Sequence, residues 1–194
     1  MPKQDTRQII LQNAAKIIHS KGFVNTGIKD ILDASGVPKG SFYFYFKSKE
    51  EFGMALVDYY AETMSGMITG YMTDPGRTPM ERLDRFFTES ARFYEHNRFA
   101  GGCPIGNMSQ EMSNISEPIR LRLQAAFLRI RTAMQQCIIE AQELGLVDKK
   151  LDPEALAVFT LNGFEGALID MKVSKSTRPL DIFKNMLLDF IKQT

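Results

Sequence analysis

The sequence predicts an all-α protein with a small N-terminal three-helix head and a longer C-terminal helical body. Three observations predict it. Apolar residues recur at helical spacing along most of the 194 residues, and no segment sustains period-two alternation. Gly, Pro and the capping residues Ser, Thr and Asp punctuate the chain at intervals that suit helices. Between Gly27 and Glu50, two short helical segments flank Ser35-Gly36-Val37, and the second segment is basic and aromatic. A short helix, a glycine turn and a second short helix of that composition make a helix-turn-helix.

Each element follows from its own residues. The first helix is expected over about 5–20, with Ile9, Ile10, Ala14, Ile17 and Ile18 inward and Gly22 ending it. Asn25 and Thr26 offer an N-cap to the second helix, where Ile28, Ile31, Leu32 and Ala34 form one apolar face. Gly36 supplies the left-handed backbone of a tight interhelical turn. Pro38 suits the first turn of the third helix, where its missing N–H does no harm. That helix buries Phe42 and Phe46, four residues apart, and turns Lys39, Gly40, Ser41, Tyr43 and Tyr45 toward solvent or a partner.

Ser48-Lys-Glu-Glu51 reads as a capping box opening a fourth helix to about residue 71. Thr78-Pro-Met-Glu81 is a second capping box, opening a helix to about 96. A Gly-rich break over 98–104 precedes a short helix at 105–113. Ser116-Glu-Pro opens a long helix to 144, closed by Gly145. Asp152-Pro-Glu opens another to about 173, and the last spans about 179–192. The first helices are too short to be stable alone, so the head is placed at 1–47 and the body at 48–194.

Composition narrows the function classes. Hydrophobic residues are 44% and charged residues 24%, values of a folded globular chain rather than a disordered one. No apolar run reaches the length of a membrane span, and Met-Pro-Lys-Gln-Asp-Thr-Arg is no secretory signal. Cys103 and Cys137 do not make a disulfide framework, so a reducing cytoplasm and no membrane partner are expected. His19 and His96 have no ligand spacing with them, so neither metal nor cofactor is expected. The net charge of +1 alone argues against a general nucleic-acid binder, but its distribution is uneven. Through residue 50 there are eight Lys/Arg against four acids. A basic head on a mildly acidic body suits a DNA reader.

The candidate DNA contacts follow from side-chain chemistry. An ordinary solvated face would scarcely pair exposed tyrosines with Lys and Gly. Gly40 lets the backbone approach closely, Lys39 can reach a guanine edge or a phosphate, and Ser41 either kind of group. Tyr43 and Tyr45 can donate to phosphate and touch thymine methyls, and Phe44 offers an apolar base contact. Thr26 and Lys49 stand at helix starts, where phosphate is favoured; the plainer reading of Lys49 is a surface lysine.

Gly22-Phe23, Asn25-Thr26-Gly27-Ile28-Lys29-Asp30-Ile31 and the run from Ala34 to Phe52 resemble the tetracycline-repressor (TetR) family of bacterial transcriptional regulators. The resemblance covers about the first 55 residues. It departs from the family at Gly27, where Ser or Thr is usual, and at Tyr45, where His is frequent. It implies a homodimer, a palindromic double-stranded operator and a small-molecule pocket in the body. The whole then reads as an N-terminal three-helix helix-turn-helix head plus a C-terminal helical ligand-binding and dimerisation body. Gly101-Gly-Cys-Pro-Ile-Gly-Asn-Met-Ser-Gln-Glu111 is similar to a Gly-Cys-x-x-Gly-Asn-x-x-x-Glu pattern of one subset of that family, and some such regulators respond to electrophiles or oxidants through cysteine.

In the body, Phe93, Cys103, Asn107, Met108, Met112, Phe127, Met134, Phe159, Asn162 and Glu165 are the candidate effector residues. Soft, adaptable side chains line pockets well, and a few polar groups orient a ligand in an apolar site. Their density and the few charges among them predict a small, largely apolar effector. The plainer reading of the Phe and Met residues is core, of Asn162 and Glu165 satisfied interface polars, and of Cys103 a buried small hydrophobe. Cys137, among Met134, Ile138 and Ile139, reads as core. Dimerisation is expected through about 152–192, where Ala155, Ala157, Gly163, Gly166 and Ala167 allow close approach. Leu161, Leu168, Leu180, Phe183, Leu187 and Phe190 supply apolar area there. The reading is a ligand-responsive repressor. Its alternatives are a cysteine-based redox or electrophile sensor of the same family, an activator or architectural protein, and, remotely, a helical enzyme with Cys103 as nucleophile and His96 as base. No orienting group or oxyanion arrangement supports the last.

Overall fold

The computed structural model describes residues 3–192. Among them the chain forms helices α1 (Lys3–Lys21), α2 (Ile28–Ser35), α3 (Lys39–Tyr45), α4 (Lys49–Met72), α5 (Pro79–His96), α6 (Pro104–Met112), α7 (Glu117–Glu143), α8 (Pro153–Ser174) and α9 (Arg178–Ile191). There is no strand among the described residues, only an isolated bridge between Val147 and Lys192. No helix there is long and apolar enough to cross a membrane, and no cluster of three or more His, Cys, Asp or Glu could hold a metal ion.

The caps explain the boundaries. Thr78 and Glu81 form a reciprocal box at α5: the Thr78 N–H donates to Glu81 Oε2 at 2.8 Å, and the Glu81 N–H to Thr78 Oγ1 at 3.4 Å. At α4 the Glu51 N–H donates to Ser48 Oγ (3.0 Å), while the Glu51 carboxylate accepts from Lys47 N–H (2.9 Å). Asp152 accepts from Glu154 N–H at the start of α8. The expected Asn25-Thr26 cap of α2 is not formed. Gly27 takes the N-cap position, and Asp30 Oδ2 accepts its N–H at 2.8 Å. Gly36 ends α2 at φ 65°, its N–H donating to Leu32 O.

The chain divides into two compact units, 1–62 with 104–126, and 63–103 with 127–194. The first unit thus joins the three helices of the head to the first part of α4, all of α6 and the start of α7. In the first unit, α1 buries Ile10, Leu11, Ala14, Ala15 and Ile18. Leu11 and Ala15 thus take the inward places expected for Ile9 and Ile17, which are half-buried. A ring cluster of Phe42, Phe46 and Phe52, with centroids 5.2–5.6 Å apart, anchors α3 to α4. Tyr60 donates from its hydroxyl to Ala15 O at 3.0 Å, tying α4 to α1.

The second unit centres on α5, α8 and α9. Phe86, Phe87, Phe164 and Phe183 stack in it at centroid separations of 5.2–5.7 Å. Gly163 of α8 admits the Phe183 ring of α9, since any Cβ there would collide with it. This placement corrects part of the expected dimer surface. Leu161, Leu168, Leu180 and Leu187 are each no more than 2% exposed, spent on the core of one chain, while Phe190 is 63% exposed.

Candidate nucleic-acid interface and body site

The exposed face of α3 is built by what lies beneath it. Phe42 and Phe46 are buried, so the intervening positions must face outward. Lys39 and Gly40 are exposed, Tyr43 is 46% and Phe44 64% exposed, and Ser41 and Tyr45 are half-buried. Lys39 Nζ lies 6.0 Å from the Tyr43 ring centroid, and Phe44 and Tyr45 meet edge to face at 4.9 Å. A large exposed Phe beside Tyr and Lys presents apolar, hydroxyl and cationic groups on one short helix.

Two of the expected phosphate partners stand differently. Thr26 is fully buried, and its hydroxyl donates to Gly22 O at 2.6 Å. It stabilises the α1–α2 turn. Lys49 is half-buried; its ammonium donates to Val24 O at 3.1 Å and sits 4.9 Å from the Phe23 ring. Burial pulls its pKa down, opposed by the carboxylates of Glu111 and Asp30.

The expected effector residues do not form one set. Asn107, Met108 and Met112 belong to the first unit; Phe93, Cys103, Phe127, Met134, Phe159, Asn162 and Glu165 belong to the second. Phe93 (57%) and Phe159 (55%) are exposed, as is Asn162, because their helices turn them away from the core. Phe159, Asn162, Gly166, Ile169 and Val173 instead form a stripe along the outer face of α8. Ile182, Met186 and Phe190 continue it on α9, with the Phe159 and Phe190 rings 6.5 Å apart. The second unit does gather a polar trio among apolar groups: Cys103, Glu165 and Tyr94, the last unforeseen from the sequence. Burial pushes the Glu165 carboxyl up, opposed by its hydrogen bond with Cys103. Burial likewise raises the Tyr94 hydroxyl, with Cys103 and Glu165 adding to the effect. Tyr94 continues the inward face of α5 from Phe87 and Ala91, which is the signal that would have found it. Cys137 is buried, as expected; burial pushes its thiol up to about 11. An open groove of about 540 Å³ runs between α5 and α9, past Arg85, Thr88, Leu188 and Lys192, and includes none of the expected effector residues.

Between α5 and α6 the backbone is strained. Arg98 and Phe99 adopt φ of 53° and 57°, followed by Gly101 and Gly102 at 87° and 92°. The two non-glycine residues pay roughly 1–2 kcal/mol each for that conformation.

Residues 10–55 match the bacterial regulatory proteins of the tetR family, and residues 79–187 match the tetracyclin repressor-like C-terminal domain. The chain belongs to the TetR family. It is 31% identical over 189 residues to the HTH-type transcriptional repressor DhaR of Mycobacterium sp. (strain GP1), covering 97% of this chain and 93% of that one. A crystal structure of the regulatory protein TetR from Rhodobacter sphaeroides superposes with a TM-score of 0.89 at 30% identity, over 95% of this chain and 97% of that one. The reduced form of E. coli NemR superposes at 0.87 and 25% identity, over 98% of both. This TetR-family chain is therefore a DNA-binding transcriptional regulator and not an enzyme. Regulators of the family bind operator DNA as dimers and respond to small molecules.

Proposed function

We propose that the chain is a cytoplasmic, ligand-responsive repressor that binds a palindromic operator as a homodimer and is released by a small, largely apolar effector. The observation that carries the reading is the α3 face of Lys39, Gly40, Tyr43 and Phe44, held outward by the buried Phe42–Phe46–Phe52 cluster. Ser41, Tyr45 and Lys49 flank it. The partner copy is assigned to the apolar stripe on α8 and α9, whose exposed Phe, Ile, Val and Met side chains suit a four-helix interface. The dimer holds two recognition helices about 34–36 Å apart, one turn of DNA. An effector that prefers a different spacing shifts the population and lowers DNA affinity.

On the effector side, Tyr94, Cys103 and Glu165 are the polar anchors, with the buried Met134 and half-buried Phe127 of the same unit as candidate apolar lining. A ligand with one hydrogen-bonding group and a hydrocarbon remainder fits that chemistry. The Gly-Cys-x-x-Gly-Asn pattern at Gly102–Asn107 and the likeness to NemR favour a second reading, a cysteine sensor of oxidants or electrophiles. The thiol's bond to the acidic Glu165 and its 3% exposure weigh against it, since reactive thiols sit in exposed, electropositive surroundings.

The test is selection of a palindrome from a random duplex library, followed by affinity against salt. Tyr43→Ala should weaken the selected palindrome about tenfold more than random DNA, one lost base-edge contact. Equal weakening of both would remove Tyr43 from sequence readout, and the absence of any salt dependence would sink the DNA-binding role.

A further inference from the structure

Val24, in the turn between α1 and α2, is held on both of its backbone groups. Its N–H donates to Glu111 Oε2 of α6 at 2.8 Å, across 87 residues of sequence. Its carbonyl accepts from Lys49 Nζ of α4 at 3.1 Å. The turn is shaped to admit the carboxylate. Gly22 has φ +87°, and a Cβ there would lie 2.9 Å from Glu111 Oε1. Phe23, 3% exposed, is seated so tightly on α4 that a Cβ on Gly53 would come 2.6 Å from its ring. Two residues beyond Val24, the buried Thr26 leads into the N-cap of α2, the first helix of the helix-turn-helix.

A backbone amide bonded to a carboxylate is a stronger tie than one bonded to a neutral oxygen. It is also directional: a shift of α6 by an ångström or two breaks it. At its other end α6 begins at Pro104, separated only by Cys103 from Gly101 and Gly102 in their left-handed conformation. α6 thus has glycines behind it and the head's turn in front.

We infer that Glu111 is a positioning residue through which the placement of α6 sets the placement of the helix-turn-helix. The inference rests on the reading of the chain as a DNA-binding regulator. It adds the residue by which the head reads α6. When Glu111 accepts from Val24, the α1–α2 turn, the start of α2 and Lys49 are held in one arrangement. When α6 shifts, Val24 is released and α2 loses its fixed start.

The test uses the full-length protein and the palindrome it selects from a random duplex library, with affinity read by fluorescence anisotropy. Glu111→Ala should weaken binding about three- to tenfold, the range for one partly exposed hydrogen bond to a charged group. Glu111→Gln keeps an acceptor oxygen and should return affinity to within about twofold of wild type. Ile105, fully buried on α6, provides the perturbation at the far end. Ile105→Ala should weaken binding in the wild-type background and change it less than about twofold in the Glu111→Ala background, the signature of coupled sites. Should either alanine variant fail to fold, Ile105→Val and Glu111→Ser carry the same comparison. Independent, multiplying effects, or wild-type affinity in Glu111→Ala, would overturn the inference. Amide exchange at Val24, measured without DNA, should accelerate in Glu111→Ala and not in Glu111→Gln; unchanged exchange overturns it on its own. A wild-type protein that selects no sequence defeats the DNA-binding reading first, and this inference with it, whatever Val24 does.

Discussion

Arg82 on α5 is 6% exposed, a rare burial for a guanidinium. Its Nε donates to Asp74 O at 2.7 Å, and its Nη1 to Met72 O at 3.0 Å and to Glu140 Oε2 at 2.6 Å. Met72 is the last residue of α4, so its carbonyl has no partner within the helix. Arg82→Ala would strand that carbonyl, at ~1–3 kcal/mol for a buried group left unpaired, while the Asp74 carbonyl keeps the Arg77 N–H at 3.3 Å. Together with the lost packing of its stem, the total is about 3–5 kcal/mol. The Glu140 side chain is 44% exposed, so water can replace it. Glu140→Ala should therefore cost about 1 kcal/mol or less, as for exposed pairs. Urea unfolding followed by circular dichroism, at one fixed protein concentration because assembly adds to apparent stability, measures both. Equal losses would show that the ion pair, and not the capping of α4, carries the stability, and would refute the reasoning.

Met186 is 67% exposed on the outer stripe of α9, while its neighbour Leu187 is 2% exposed in the core. Met186→Asp should give folded monomers in sedimentation velocity and Leu187→Asp should unfold the chain; a dimeric Met186→Asp protein would take the stripe out of the interface. Burial raises the Glu165 carboxyl in the folded chain, so the stability it contributes is present below the ordinary carboxyl range and is lost as pH rises through the raised folded value. Glu165→Gln should flatten that part of the stability–pH curve measured by thermal melts. An unchanged curve would mean that the carboxyl is not where the burial is felt.

The helix boundaries were legible because they rest on local chemistry. Thr78 and Glu81, three residues apart, meet wherever the chain goes next. The outward face of α3 was legible for a similar reason: with Phe42 and Phe46 inward, geometry leaves Tyr43 and Phe44 outward. Which apolar residues of a body helix face inward was harder to read. Leu187 and Met186 differ by one position and about 100° of rotation, and both are apolar, so composition could not separate core from outer stripe. The exposure of Phe159 and Asn162 on α8 was hidden on the same ground. Thr26 has the right chemistry for phosphate, but the carbonyl of Gly22 claims its hydroxyl. Glu111 stood in a quoted pattern without a role, because no local rule announces a bond to Val24 across 87 residues.

That bond also constrains how the chain can change in length. One residue inserted between Pro104 and Glu111 would turn the carboxylate about 100° around α6 and move it about 1.5 Å along the axis, away from Val24. A deletion would do the reverse. Substitutions along the exposed side of α6 can accumulate, yet the spacing from the glycine pair to Glu111 behaves like a reading frame. Relatives that keep the carboxylate are expected to keep that spacing too, and those that have lost it are free to vary both.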